Sequence, residues 1–345
     1  MNKKILHAPN NITGTPRKLA ELERKEGFVS DSINTTVDLI DGPSHFNSKE
    51  NFFSKILFRL KYLLLALFYY DVINFHAGAS LLPFNLDLPI LRLLNKKVII
   101  HYYGSEVRII EDFKKVNPYS GFLGEDQKNT AKQDKTKRRK IRWHATWVNF
   151  AIAPRDSFYF ISKIYNEKKI FELWSANILD NQMKKLSKED YVSQNDVPII
   201  IHCPTNRLTK GSIYVDMAIK NLKKKGCQFV YRCIENMKKS ELHELIKKEA
   251  DIVLDQFLIG TFGNLAVETL ALGKISVGYL NEELCLQFSK DCPIVNATID
   301  TLEEELEKLI NSKNLRDEIS KKGPEFINRK IDERLIMNEL HKLYK

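Results

Sequence analysis

Arg207 and Lys210 stand three residues apart in the segment Ile201–Ser212, IHCPTNRLTKGS, where an apolar run ends near a proline and a helix begins near Gly211-Ser212. Two cations on one short loop suit a diphosphate leaving group. An arginine grips phosphate oxygens as a fork, a lysine acts as a point charge, and both stabilise the negative charge that develops as a glycosidic bond breaks. Taken alone, two loop cations read first as plain solvated side chains. A second segment, Asp255–Gly273, reads DQFLIGTFGNLAVETLALG. It ends a strand near Asp255, carries Gly260 and Gly263 in a loop, and starts a helix near Asn264. Glycines let the backbone approach a ligand closely, and the N–H groups of a helix start attract phosphate. Glu268, just over one turn into that helix on an otherwise apolar stretch, offers a carboxylate that can accept both hydroxyls of a ribose. The competing reading is a capped helix whose glutamate points to solvent.

Positioning such groups requires strand ends and helix starts, and the chain supplies them in alternation. In the first half, strand-like runs fall at Lys4–Ala8, Val37–Ile40, Val72–Phe75, Val98–His101, Val148–Ala153 and Lys169–Leu173. A helix opens at Thr15-Pro16 and closes at Gly27, with Thr15 as N-cap and the proline at the first helical position. Polar Ser193-Gln194-Asn195-Asp196 marks a linker. Beyond it strands are expected at Pro198–His202, Phe229–Arg232, Asp251–Asp255 and Ile275–Tyr279. Helices are expected between them at Ser212–Lys225, Ser240–Lys248 and Asn264–Leu272. Strand–helix alternation of this kind predicts parallel sheets with crossover helices, and ligands bind at the carboxyl ends of such strands. Two adjacent α/β domains are expected to leave a cleft between them.

Together the two C-terminal segments resemble the donor-binding domain of the family-4-type retaining glycosyltransferases of bacterial surface-polysaccharide synthesis. The likeness is dense over about residues 198–280 and diffuse elsewhere. It implies a GT-B architecture of two Rossmann-like α/β domains: an acceptor domain over 1–190, a nucleotide-sugar domain over 191–323, and a C-terminal helix over 324–345 that crosses back to the first. By the same likeness Arg207 and Lys210, in an R-x-x-K-G loop, hold the donor diphosphate. The backbone of Phe262, Gly263, Asn264 and Leu265 meets phosphate, and Glu268, the second glutamate of an E-x7-E motif, holds the ribose. The first glutamate of that motif contacts the donor sugar in the family, and Gly260 occupies its place here. Either Gln256 or Asn264 reads the sugar instead, or donor preference differs, or activity is reduced.

In the first half DVINFHAGAS ends a strand at His76, and VIIHYYGSEVR contains His101, Tyr103, Glu106 and Arg108. The family places a histidine directly before a glycine near the reacting carbon. Tyr103 has that position here, and His101 lies two residues earlier. His76, His101, Tyr103 and Glu106 are therefore the catalytic and acceptor-side candidates, and Thr13 and Gly14, in the first strand-to-helix turn, are expected to line the cleft.

Composition bounds the rest. The 345 residues carry 43% apolar side chains and a net charge of +10, which fits two ordinary cores and an anionic partner. Five cysteines at irregular spacing, with no C-x-x-C, argue against a disulfide framework or a zinc site and favour a reducing cytosol. The first residues lack the apolar core of a signal peptide, and the longest apolar run, Tyr62–Tyr70, is too short to span a bilayer. No convincing DxD loop occurs, so neither metal nor cofactor is expected beyond the nucleotide-diphosphate sugar itself. The acceptor is expected to be a glycan or a lipid-linked molecule. Nucleic-acid binding is suggested only by charge and has no motif behind it. Two stretches bear on a membrane surface. Phe52–Tyr70 reads first as a buried core helix, and Gln127–Arg142, basic and followed by Trp143 and Trp147, as a loop or exposed helix touching either solvent or an anionic bilayer. Two rival readings remain: a nucleotide-sugar epimerase of the same fold, and a decayed site that serves a partner enzyme.

Overall fold

The computed structural model describes residues 3–11, 14–35, 52–123, 127–173, 195–285, 291–330 and 333–345. Its strands and helices follow in chain order as β1 (Lys4–Ala8), α1 (Thr15–Lys25), β2 (Val29–Ser32), α2 (Phe52–Phe68), β3 (Val72–His76), α3 (Asp87–Leu93), β4 (Lys97–His101), α4 (Ile110–Val116), α5 (Gln127–Trp147), β5 (Phe150–Ala153), α6 (Arg155–Ile161) and β6 (Ile170–Glu172). Then come β7 (Ile199–His202), α7 (Arg207–Lys210), α8 (Ser212–Lys224), β8 (Val230–Cys233), α9 (Lys239–Glu249), β9 (Ile252–Leu254), α10 (Asn264–Ala271), β10 (Ile275–Gly278), α11 (Glu282–Cys285), β11 (Val295–Asn296), α12 (Leu302–Asn311), α13 (Lys313–Lys330) and α14 (Glu333–Tyr344).

Two parallel sheets result, one in the order β2-β1-β3-β4-β5-β6 and one in the order β11-β10-β9-β7-β8. The central strands are buried along their length, as β3 is at every residue, because helices cover both faces. Residues of Met1–Ile109, Ala131–Ile178 and Glu333–Lys345 form one compact unit, and those of Ile110–Thr130 and Leu179–Asp332 a second. In the first unit Ile5, Leu19, Val72, Ile99 and Ile152 pack with Ile336, Met337, Leu340 and Leu343, so α14 completes that core. In the second, Ile200, Ile252, Leu254 and Val277 of the sheet pack with Val215 and Leu222 of α8 and Leu302, Leu306 and Leu309 of α12. A Cβ at Gly323 would lie 2.8 Å from the Leu270 carbonyl oxygen, so this glycine lets α13 press directly onto α10.

Several sequence expectations change. The second strand is Val29–Ser32, while Val37–Ile40 lies outside the described residues. As VSDS on the sheet edge, β2 needs little apolar character and gives a weak signal. The C-terminal segment is two helices. α13 runs through Pro324 within the second unit, and only α14 packs in the first. The basic stretch belongs to a 21-residue helix, α5. The expectation that Phe52–Tyr70 is a core helix is corrected: Phe53, Leu57, Leu64 and Phe68 of α2 are 73, 68, 57 and 79% exposed, because no described residue covers that side of α2.

Candidate functional site

Each sheet has a point where the strand order reverses, and side chains that bear chemistry collect there. In the second unit β8 lies on one side of β7 and β9 on the other, so the crevice falls between the carboxyl ends of β7 and β9. The chain leaving β7 passes Asn206, whose side chain accepts from the Thr209 N–H at 3.0 Å and caps α7. Gly211, at φ +74°, turns it into α8. His202, at the end of β7, is wholly buried. Burial holds its pKa below the usual value and keeps it neutral. Its Nδ1–H donates to the Leu254 carbonyl at 2.9 Å, and its Nε2 accepts from the Ser212 hydroxyl at 2.8 Å, which ties β7, β9 and α8 together.

Lys210 reaches across this crevice. Its Nζ donates to Asp255 Oδ1 at 2.5 Å and to Gln256 Oε1 at 3.0 Å, while the Gly263 N–H donates to Asp255 Oδ2 at 2.9 Å. The Gln256 amide in turn donates to the Thr261 carbonyl. One buried carboxylate thus gathers the lysine and a backbone amide that the sequence reading assigned to the diphosphate. Asp255 itself was not singled out, although its place at the end of an apolar strand run was the available signal. A Cβ at Gly263 would fall 2.8 Å from Asp255 Oδ2, so only glycine allows this approach. Phe262, Gly263, Asn264 and Leu265 are half-buried where α10 starts, and a helix start leaves N–H groups without intrahelical partners. Arg207 lies further out, its guanidinium donating to Asp216 Oδ2 at 2.5 Å and standing 3.5 Å from Glu235 Oε2.

Glu268 is buried, not solvent-facing. Lys239 Nζ lies 2.5 Å from one carboxylate oxygen, and His243 Nε2 lies 2.9 Å from the other. Burial pushes its pKa up, but the Lys239 charge and the His243 contact outweigh that and hold it at about 2. It is ionised at neutral pH, and each oxygen keeps a second lone pair. Lys239 and His243 come from α9, which sequence spacing does not relate to Glu268.

Gly260 is not a vacant glutamate position. It sits at φ +74°, and a Cβ there would lie 2.8 Å from Asn281 Cβ and 3.0 Å from the Tyr279 ring. Its carbonyl accepts from the Asn281 N–H at 2.8 Å. The loop is pinned from another side by Asn117, whose amide donates to the Leu258 carbonyl at 2.8 Å.

In the first unit β2 and β3 flank β1, so the order reverses between β1 and β3. His7 and His76 stand at the carboxyl ends of these two strands, and His101 ends β4 opposite His76. His7 Nδ1 lies 2.9 Å from His76 Nε2, and His76 Nδ1 lies 2.8 Å from the Tyr103 hydroxyl. On the far side His7 Nε2 lies 2.9 Å from Glu23 Oε2. Ser30 donates to Glu23 Oε2 at 2.5 Å, and the Tyr344 hydroxyl of α14 donates to Glu23 Oε1. The ring of His101 stacks on that of Tyr103 at 4.8 Å, and its nitrogens find no partner among the described residues. Burial lowers the pKa of His76, and that of His101 to about 3, so both are neutral. Glu106 accepts from the Tyr103 N–H at 3.3 Å, and burial raises its pKa. Three of the four acceptor-side candidates therefore meet in one cluster, with Glu106 at its edge. His7, Glu23 and Tyr344 complete it and were missed. Gly14, at φ +77°, is the N-cap of α1, and Thr13 lies outside the described residues. No group of three or more His, Cys, Asp or Glu placed to hold a metal occurs among the described residues.

Two parallel α/β units of this kind define the GT-B fold, and comparison with solved structures agrees. HepE from Anabaena, in complex with UDP and glucose, superposes with a TM-score of 0.65 at 12% identity, covering 99% of both chains. Sucrose-phosphate synthase from Thermosynechococcus elongatus gives 0.65 at 12% identity, over 99% of this chain and 98% of that one. The UDP complex of MnaA from S. aureus gives 0.53 at 13% identity, over 93% and 91%. The chain is thus similar in fold to these proteins over almost its whole length. No protein-family profile matches the sequence, and no curated protein matches it.

Proposed function

We propose that the protein is a glycosyltransferase that moves a sugar from a nucleoside-diphosphate sugar to a glycan or lipid-linked acceptor, with retention and without a metal, as in surface-polysaccharide synthesis. The observation that carries this reading is the group at the β7/β9 reversal: Lys210, Asp255, Gln256 and the Gly263 amide in front of α10, with ionised Glu268 one turn in. Lys210 and Arg207 exchange their internal carboxylates for the donor diphosphate, the start of α10 meets phosphate, and Glu268 takes the ribose hydroxyls. Gln256 and Asn264 are the candidates to read the sugar. The first unit, through Tyr103, His76, His101 and Glu106, takes the acceptor. UDP is the first nucleotide to test, because the HepE and MnaA structures hold it. By calorimetry the protein is expected to bind UDP, and Glu268→Gln to weaken UDP at least tenfold while changing the affinity for 2′-deoxy-UDP far less. Equal losses for both nucleotides would remove the ribose role. Absence of binding to any nucleoside diphosphate would overturn the reading as a whole.

The same reading includes attachment to the inner face of a membrane, supported by α2 and α3 rather than by the basic part of α5. Leu93 and Leu94 at the end of α3, a helix that contacts α2, are 77 and 48% exposed. Lys55, Arg59 and Lys61 accompany them, α2 has no acidic residue, and the one acid of α3, Asp87, is fully buried. Apolar side chains among cations match an anionic bilayer. In α5, by contrast, Trp143 donates to the Asn85 carbonyl and Lys137 to the Arg108 carbonyl, so both are held against the first unit. No described helix is long and apolar enough to cross a membrane. Flotation with vesicles containing anionic lipid is expected to capture the wild type and to lose Leu57→Glu/Phe68→Glu, while reversing Arg138 and Arg139 has the smaller effect. The opposite order would return the contact to α5.

A further inference from the structure

The cluster at the β1/β3 reversal has a direction. Glu23 receives hydroxyl donors from Ser30 and Tyr344, so its carboxylate is the acceptor at the closed end. His7 then donates from Nε2, which leaves its Nδ1 as acceptor toward His76. His76 donates from Nε2, which leaves its Nδ1 as acceptor toward Tyr103. Every proton in the row therefore points inward, from Tyr103 to Glu23. Glu23, His7 and His76 have no exposed surface, and Tyr103, at the other end, is half-buried. Thr15, at the start of α1, also donates to the Tyr103 hydroxyl. That oxygen gives its proton to His76 and keeps one further lone pair. Ligands in open parallel sheets bind outside the strand ends at the reversal, where this lone pair lies.

We propose that Tyr103, His76, His7 and Glu23 form a proton relay that withdraws the proton of the acceptor hydroxyl during glycosyl transfer. The inference rests on the transferase reading. As the acceptor oxygen bonds to the anomeric carbon, the nucleoside diphosphate leaves with the electron pair of the old bond. The acceptor proton passes to Tyr103 Oη, the Tyr103 proton to His76 Nδ1, and the His76 Nε2 proton to His7 Nδ1. His7 becomes an imidazolium beside the Glu23 carboxylate, which stabilises it until the proton returns to solvent. Tyr103 is the catalytic residue, and the other three act through it. α14 contributes the Tyr344 hydroxyl, so the docking of that helix sets the strength of Glu23 as an acceptor.

The test is kcat with a UDP-hexose donor. Tyr103→Phe and Glu23→Gln are each expected to lower kcat about 100-fold, the scale of general base catalysis, with UDP affinity and thermal melting of the intact chain near wild type. Tyr344→Phe is expected to raise kcat, because Glu23 loses a competing donor and becomes the stronger acceptor toward His7. Loss of packing alone would lower kcat in both variants. The other groups that face the relay are His101 on β4, Glu106 and Arg108 after it, and Arg24 on α1, which donates to the Ser30 carbonyl. Glu106→Gln is the control that reports their influence, and it is expected to leave the two opposite changes in place. Nitrogen-15 histidine spectra provide a readout independent of turnover: His7 and His76 should both carry the proton on Nε2. A transferring enzyme whose Glu23→Gln variant keeps kcat overturns the relay alone, as do spectra with the opposite tautomers. A wild type that binds UDP but transfers no sugar overturns the transferase reading, and the relay's role with it.

Discussion

Lys210→Ala is expected to cost the protein both its nucleotide and part of its stability, through two separable effects. The Lys210 side chain is 13% exposed and that of Asp255 1%, at 2.5 Å. Removing the lysine leaves the Asp255 charge buried with only the Gly263 amide against it. Breaking a buried pair from one side costs roughly 3–5 kcal/mol. The diphosphate loses a charge-assisted contact worth about 1.5–3 kcal/mol, or about 10- to 150-fold in affinity. The double variant Lys210→Ala/Asp255→Asn separates the two. The neutral asparagine still accepts from the Gly263 N–H and no longer leaves a buried charge, so melting and denaturant midpoints should recover most of the loss, while UDP affinity measured by calorimetry stays low. If stability and affinity recover together, Lys210 is a structural partner of Asp255 and the clamp is misassigned. Arg207→Ala is the comparison. Its ion pairs are exposed and contribute at most about 1 kcal/mol to stability, so its loss should appear almost entirely in binding.

Gly260→Glu restores the carboxylate that the resembling family has at this position, and it is expected to damage the protein rather than improve it. A residue with a side chain at φ +74° costs about 1–2 kcal/mol in backbone strain. Its Cβ would also press on Asn281 Cβ at 2.8 Å and on the Tyr279 ring at 3.0 Å, an overpacking worth roughly 1–3 kcal/mol. Asn281 cannot give way freely, because its amide donates to the Val116 carbonyl and to the Tyr279 hydroxyl. The variant should therefore melt several degrees lower and bind UDP more weakly, since the loop that carries Gly260 also carries Gly263. Gly260→Ala should show most of the same loss, because the first carbon already collides. A Gly260→Glu protein with unchanged melting and tighter binding of a UDP-hexose would show that the loop opens to admit a side chain. The absent glutamate is thus matched by a backbone conformation that excludes one.

Arg207, Lys210, the glycine loop and Glu268 could be singled out as candidates from the sequence because their signal is local. Each lies within a few residues of a strand end or a helix start, and runs such as Pro198–His202 and Asn264–Leu272 need only their own residues to be recognised. The same holds for His76 and His101, which close apolar runs. The alternation of those runs determined two parallel α/β units without further information, because buried strands and one-sided helices are fixed by hydrophobic period. What the sequence could not contain is pairing. Glu23 meets His7 16 residues away, His7 meets His76 69 away, and Tyr344 reaches Glu23 across 321. Lys210 meets Asp255 45 residues on. Those partners are chosen by strand order and by the docking of α14, and strand order is a property of the packed sheet, not of any segment in it. Exposure was decided in the same way. The composition of α2 is that of a core helix, and only the packing among the described residues shows Phe53, Leu57 and Phe68 open. Gly260 shows the limit most plainly: its letter reads as a missing glutamate, and its φ and its neighbours, set by Tyr279 and Asn281 on the adjoining loop, make it a required glycine.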